Sequence, residues 1–142
     1  MRNYSLLEVG SPSEWSAGEF SHPAFKRPVR GKQFIAEQLG LTSMELSLNC
    51  LPPNVAVPFL HSHLEHEELY LFLSGSGEML VDGETIPVKG GSAVRVAPAG
   101  KRAWRNVGNE PLVYLVIQAK AGSLANINIK DGQPCPELPM WT

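Results

Sequence analysis

The sequence predicts an all-β fold, a sandwich or barrel built from about eight short strands. Three observations lead to it. From residue 44 apolar and polar residues alternate with period two, Met44, Leu46 and Leu48 against Glu45, Ser47 and Asn49. Turn-forming residues then recur about every 8 to 12 positions. Asp82-Gly83 stands between Met79-Leu80-Val81 and Thr85-Ile86-Pro87-Val88, a strong hairpin signal.

The elements follow in order. Residues 1–43 are mixed and proline-containing, and read as an N-terminal arm that must pack on something else. Within it, Gln33 to Leu39, closed by Gly40, is a candidate short helix ending at a glycine cap. The alternating strand from residue 44 ends at the turn Pro52-Pro53-Asn54. Val55 to Leu60 is an apolar, strand-like stretch, and Leu69 to Leu73 is a second, broken by Ser74-Gly75-Ser76-Gly77. The hairpin follows, then Gly90-Gly91, Ala93 to Ala97, and the turn Pro98-Ala99-Gly100. Leu112 to Ile117 is the last long apolar run, and Ala125 to Ile129 is a further strand candidate. The tail from Asp131 to Thr142 carries three prolines and Trp141. A tryptophan there suggests docking on the body or on a partner subunit, or else a frayed end.

Bulk properties narrow the class. A chain of 142 residues with 43% hydrophobic and 18% charged content suits one globular domain. A net charge of −2 argues against nucleic acid as a partner. No apolar run reaches the ~20 residues of a membrane span, and Met1 to Ser5 lacks a signal-peptide core. Two cysteines, Cys50 and Cys135, are too few for a disulfide framework and read as plain thiols in a cytoplasmic protein.

Three of the four histidines fall in His61-Ser62-His63-Leu64-Glu65-His66-Glu67-Glu68. On a strand, His61 and His63 share a face with Cα atoms about 6.6 Å apart. Two imidazoles so placed can converge on one ion at about 2.0–2.1 Å. The third ligand must come from the acidic cluster. On an unbroken strand Glu65 and Glu67 share the histidines' parity, whereas a turn between 63 and 68 selects Glu68. Glu68, Tyr70 and Phe72 form one face beyond that point, and Leu69, Leu71 and Leu73 the other. The leucine face reads as core and the Glu-Tyr-Phe face as a pocket wall with polar handles, which favours Glu68.

The run resembles the first motif of the cupin superfamily, Gly-x5-His-x-His-x(3,4)-Glu-x6-Gly. His61, His63, Glu68 and Gly75 match its spacing, while Val55 replaces the leading glycine. The resemblance extends over residues 44–119, with residues 120–142 left as a C-terminal strand and tail. It implies a small jelly-roll β-barrel, a double-stranded β-helix, with the histidines pointing inside, and a homodimer. It further implies a divalent transition metal (Fe, Mn, Ni or Zn) on His61, His63 and Glu68, with dioxygenase, decarboxylase or isomerase chemistry on a small molecule.

Cupins carry a second motif, Gly-x5-Pro-x-Gly-x2-His-x3-Asn, whose histidine is a fourth ligand. Here Gly91 to Asn106 keeps Pro98, Gly100 and Asn106, but the histidine is missing. Its place is Ala103 counted from Pro98 and Arg102 counted back from Asn106. The same stretch holds Lys89, Arg95, Lys101, Arg102 and Arg105 without an acid. These bases read either as a solvated strand edge or as a seat for a ligand's carboxylate or phosphate on Arg102 or Arg105. Tyr70 is either a pocket residue or core with its hydroxyl satisfied. His66, Glu65 and Glu67 are expected in solvent, and Trp104 in core or interface. The alternative to a metal enzyme is a non-catalytic cupin that binds a small, anionic ligand with a weak metal site or none.

Overall fold

The computed structural model describes residues 2–141. The arm begins with a 3-10 helix, Pro12–Ala17, whose Ser11 N–H donates to the Glu14 carboxylate at 2.6 Å. Trp15 anchors it: its ring is buried with Ile35, Leu48, Cys50 and Val113, and its indole N–H donates to Val9 O at 3.1 Å. A two-residue pairing of β1 (Glu19–Phe20) with β2 (Val29–Arg30) follows. Next come β3 (Lys32–Phe34) and α1 (Ala36–Leu39). The expected helix over residues 33–39 therefore forms only in its second half, ending at Gly40 in the left-handed region (φ 70°). Its first half is recruited into a sheet, where Gln33 pairs Leu48 and Phe34 pairs Ser47.

The strands that follow are β4 (Glu45–Leu51), β5 (His66–Ser74), β6 (Ser76–Val81) and β7 (Glu84–Lys89). They continue with β8 (Ala93–Val96), β9 (Arg102–Asn106) and β10 (Leu112–Lys120). They build an all-β molecule of antiparallel sheets, a five-stranded one ordered β3-β4-β10-β5-β8 and a three-stranded one ordered β7-β6-β9. Asp82 (φ 49°) and Gly83 (φ 87°) close the β6–β7 hairpin as a two-residue turn with both centres at positive φ, as the Asp-Gly signal requires.

The sheets share one core. Tyr70, Phe72, Val96, Leu112, Tyr114 and Val116 enter it from the larger sheet, and Met79, Val88 and Trp104 from the smaller. This corrects the expected facing of β5. The aromatic face is the core, with Tyr70 and Phe72 at 0% exposure, and the leucine face is outside, with Leu69 and Leu73 at 36% and 42%. Parity alone does not say which of two largely apolar faces points inward. The partner strand decides, because Phe72 and Tyr70 sit beside Tyr114 and Val116 of β10. Likewise β4 is not half-exposed. It lies between β3 and β10, so Leu48 and Cys50 pack under the arm while Ser47 and Asn49, each 1% exposed, turn toward the other sheet.

Two expected strands are absent. Val55–Leu60 runs alongside β9, joined by isolated bridges Ala56–Arg105 and His61–Arg102. Pro58 has no N–H to give, so a continuous ladder cannot form there. Residues 125–129 are irregular and lead into a turn at 128–131 instead of a C-terminal strand; Leu124 and Ile129 are 74% and 88% exposed and pair with no described strand. No described helix is long and apolar enough to cross a membrane.

Candidate metal centre

His61 and His63 stand on the irregular segment beside β9, and Glu68 on β5 of the facing sheet. Backbone bonds hold both histidines: His61 N–H donates to Arg102 O at 3.1 Å, and His63 N–H to Pro98 O at 2.8 Å. The chain then bends into β5, and the expected turn between 63 and 68 brings Glu68 to the histidines' side.

The three candidate donors lie within 4.8 Å of one another. His61 Nε2 is 3.6 Å and His63 Nε2 3.3 Å from Glu68 Oε1. Donors held about 2.1 Å from one ion at tetrahedral or octahedral angles are about 3.0–3.5 Å apart, so the spacing suits a transition metal. His63 Nε2 is buried without a hydrogen-bond partner among the described residues, as is His61 Nδ1. Burial lowers the His63 pKa, with the Glu68 charge opposing and His61, Arg102 and His66 adding to the shift, which favours the neutral ring that a metal ligand must be.

Burial would raise the Glu68 pKa, but polar contacts with His61 and Tyr70, and the charges of His63 and Arg102, hold it at about 2. The Tyr70 hydroxyl donates to Glu68 Oε1 at 2.7 Å. Tyr70 is thus both core and a brace for the carboxylate.

The sequence placed Arg102 and Arg105 together, and the structure separates them. Arg102 is fully buried, with Nε 3.7 Å from Glu68 Oε1 and Nη2 donating to Ala97 O at 3.0 Å. Arg105 lies on the opposite face of β9, exposed, and donates to Glu78 Oε1 at 2.7 Å. Arg105 thus lies in a surface ion pair, as the solvated-edge alternative expects, because its odd register turns it away from the core. Glu67 also points outward, to Arg95 at 2.6 Å. His66 is half-buried, not solvated, with Nδ1 2.8 Å from Gln118 Oε1.

Sequence reasoning missed Lys32. It faces the space between the sheets from β3, half-buried, and its ammonium donates to Ser47 Oγ at 3.2 Å and Asn49 Oδ1 at 3.0 Å. Burial lowers its pKa to about 8, a shift that the Glu68 carboxylate partly offsets. Only strand pairing reveals it, since no spacing links Lys32 to the histidine run.

Residues 47–118 match the family model of the cupin domain. The chain belongs to the cupin family. This cupin is 39% identical over 97 residues to an uncharacterized protein of Methanocaldococcus jannaschii, a match spanning 68% of this chain and about 66% of that protein. Its structure resembles a cupin protein from Bacteroides fragilis with a TM-score of 0.78 and 35% identity, over 95% of this chain and 99% of the other. It also resembles a proposed sugar phosphate isomerase from Acidithiobacillus ferrooxidans, with a TM-score of 0.65, 25% identity, and 81% and 74% of the two chains covered.

Within the cupin frame the ambiguity of the second motif is resolved. Arg102 points into the site, and Ala103 faces the other side of β9. The place of the fourth ligand is therefore filled by a buried guanidinium. Asn106, the motif's last residue, is structural: its amide donates to Leu51 O at 3.0 Å and Glu110 O at 2.7 Å.

Proposed function

We propose that this cupin holds a divalent transition metal (Fe, Mn, Ni or Zn) on His61, His63 and Glu68 within a jelly-roll barrel, and acts there on a small organic anion. The observation that carries the reading is the buried, unpartnered His63 Nε2, 3.3 Å from Glu68 Oε1 in a donor set of ion-sized spacing. Two imidazoles and a carboxylate suit a facial triad that leaves coordination positions open. A bound ion would supply Lewis acidity or dioxygen activation, in a dioxygenase, decarboxylase or isomerase reaction.

Arg102 supports an anionic substrate. Glu68 and Arg102 cancel in charge, so a dication leaves the site with net positive charge that an anion neutralises. The likeness to a proposed sugar phosphate isomerase agrees with an anionic substrate. Arg102 also favours a second reading, a non-catalytic anion-binding cupin, because a buried cation beside the triad weakens metal affinity. A homodimer in the cytoplasm completes the proposal; the exposed Leu69 and Leu73 on the outer sheet face support the dimer.

Metal analysis of tag-free protein separates the two readings. Stoichiometric metal after reconstitution supports the first, and less than ~0.1 ion per chain overturns it. His63→Ala should abolish binding. Glu68→Gln should weaken it far more than Glu67→Gln, because Glu67 faces Arg95 on the outer surface. The opposite order of the two glutamates would overturn the ligand set.

A further inference from the structure

The Lys32 ammonium is a cation in the interior without an ion pair. Among the described residues no carboxylate comes within salt-bridge distance of it. Two of its three N–H donors are held by neutral acceptors, Ser47 Oγ and Asn49 Oδ1. Those acceptors are fixed: both residues are 1% exposed, and the Asn49 amide donates to Ser47 Oγ at 2.9 Å. The third donor has no partner among the described residues. Lys32 is half-buried, so a ligand can reach it.

Aromatic rings connect this cation to the metal centre. Lys32 Nζ lies 5.0 Å from the centre of the Phe34 ring. Phe34 stacks edge-on with Phe20 at 4.8 Å, Phe20 reaches Phe25 at 6.3 Å, and Phe25 reaches Phe59 at 5.5 Å. Phe59 in turn lies 6.1 Å from the His61 ring. The arm and the segment before the histidines thus form one run of ring contacts between Lys32 and His61.

We propose that Lys32, seated by Ser47 and Asn49, binds an oxyanion, carboxylate or phosphate, of a small substrate whose apolar body packs against this aromatic run, beginning at Phe34. The substrate class is a small apolar or aromatic acid whose other end is directed toward the metal centre, where Glu68 carries the charge that already acts on the Lys32 ammonium. This deepens the proposed function, and it rests on that reading only for the end at His61 and His63.

The test uses metal-free full-length protein, so that failure of the metal reading and failure of this one are distinct. Thermal unfolding is followed with benzoate, phenyl phosphate and the neutral isostere benzamide. Both anions should raise the midpoint saturably, and benzamide should not. Lys32→Met should weaken anion binding by about tenfold or more, since a charge-assisted hydrogen bond is lost. Stronger binding of phenyl phosphate than benzoate assigns a phosphate group, and the reverse a carboxylate. Equal stabilisation by benzamide and benzoate, no stabilisation by either anion, or unchanged affinity in Lys32→Met overturns the proposal. Should Lys32→Met not fold, NMR of the wild-type lysine side chains decides: benzoate must move the Lys32 titration midpoint upward, and an unmoved midpoint overturns the site. Benzoate binding that survives while metal binding fails would leave Lys32 in place and remove the metal reading alone.

Discussion

Arg102 and Glu68 face each other across the gap between the two sheets, with Nε 3.7 Å from Oε1 and the arginine wholly shielded from solvent. The guanidinium is tied to Ala97 O and directed toward His61 O. It stands where the cupin second motif has its histidine, so a fixed positive charge takes the place of a fourth ligand beside the other three.

Arg102→His should therefore raise metal affinity, because it removes the opposing charge and returns an imidazole to the fourth position. An increase of about tenfold or more, roughly 1.4 kcal/mol, is expected in competition against a chromophoric chelator. Unchanged affinity would mean that position 102 does not reach the ion.

Tyr70→Phe removes the 2.7 Å hydrogen bond to Glu68 and leaves the ring in the core. The buried carboxylate loses a charge-assisted donor, so the variant should lose about 1.5–3 kcal/mol of stability in urea unfolding at neutral pH. The loss should shrink as pH falls toward the Glu68 pKa of about 2, where the carboxylate protonates. A loss independent of pH would point to packing and away from the Glu68 contact.

Lys32 sets a stability slope on the alkaline side. Its pKa is lowered from 10.5 to about 8 in the fold, so between those values the unfolded chain binds more protons. Stability contributed through this group therefore rises with pH from about 8 to 10.5, and below 8 its burial costs the fold in full. The difference in unfolding free energy between wild type and Lys32→Met should move in favour of wild type across that window. A change on the order of 2 kcal/mol is expected once partial exposure is allowed for. A flat difference would show that the lysine is not desolvated.

Gly75, the last residue of the first motif, is there for the backbone. Its φ is 91°, and a Cβ would come within 2.6 Å of Pro111 O. Gly75→Ala should cost about 2 kcal/mol or more in chemical denaturation. Gly83→Ala also has positive φ but meets nothing within 4 Å, and should cost less. Equal losses would remove the close approach to Pro111 as the reason.

Much of the site was legible along the chain because its signals are local. The His61-x-His63 spacing, the four residues to Glu68 and the six to Gly75 need no distant partner to be read, and the Asp82-Gly83 turn carries its own geometry. The sequence by itself determined an all-β cupin chain, the turn that brings Glu68 to the histidines and the absence of a second-motif histidine. Tertiary structure decided the rest, because facing and partnership depend on which strands pair. Pairing with β10 turned Tyr70 and Phe72 inward and left the leucines outside. The register of β9 put Arg102 into the site and Arg105 onto the surface. Strand β3, hidden in an arm without periodicity, brought Lys32 beside Ser47 and Asn49, residues 15 and 17 positions away in the chain.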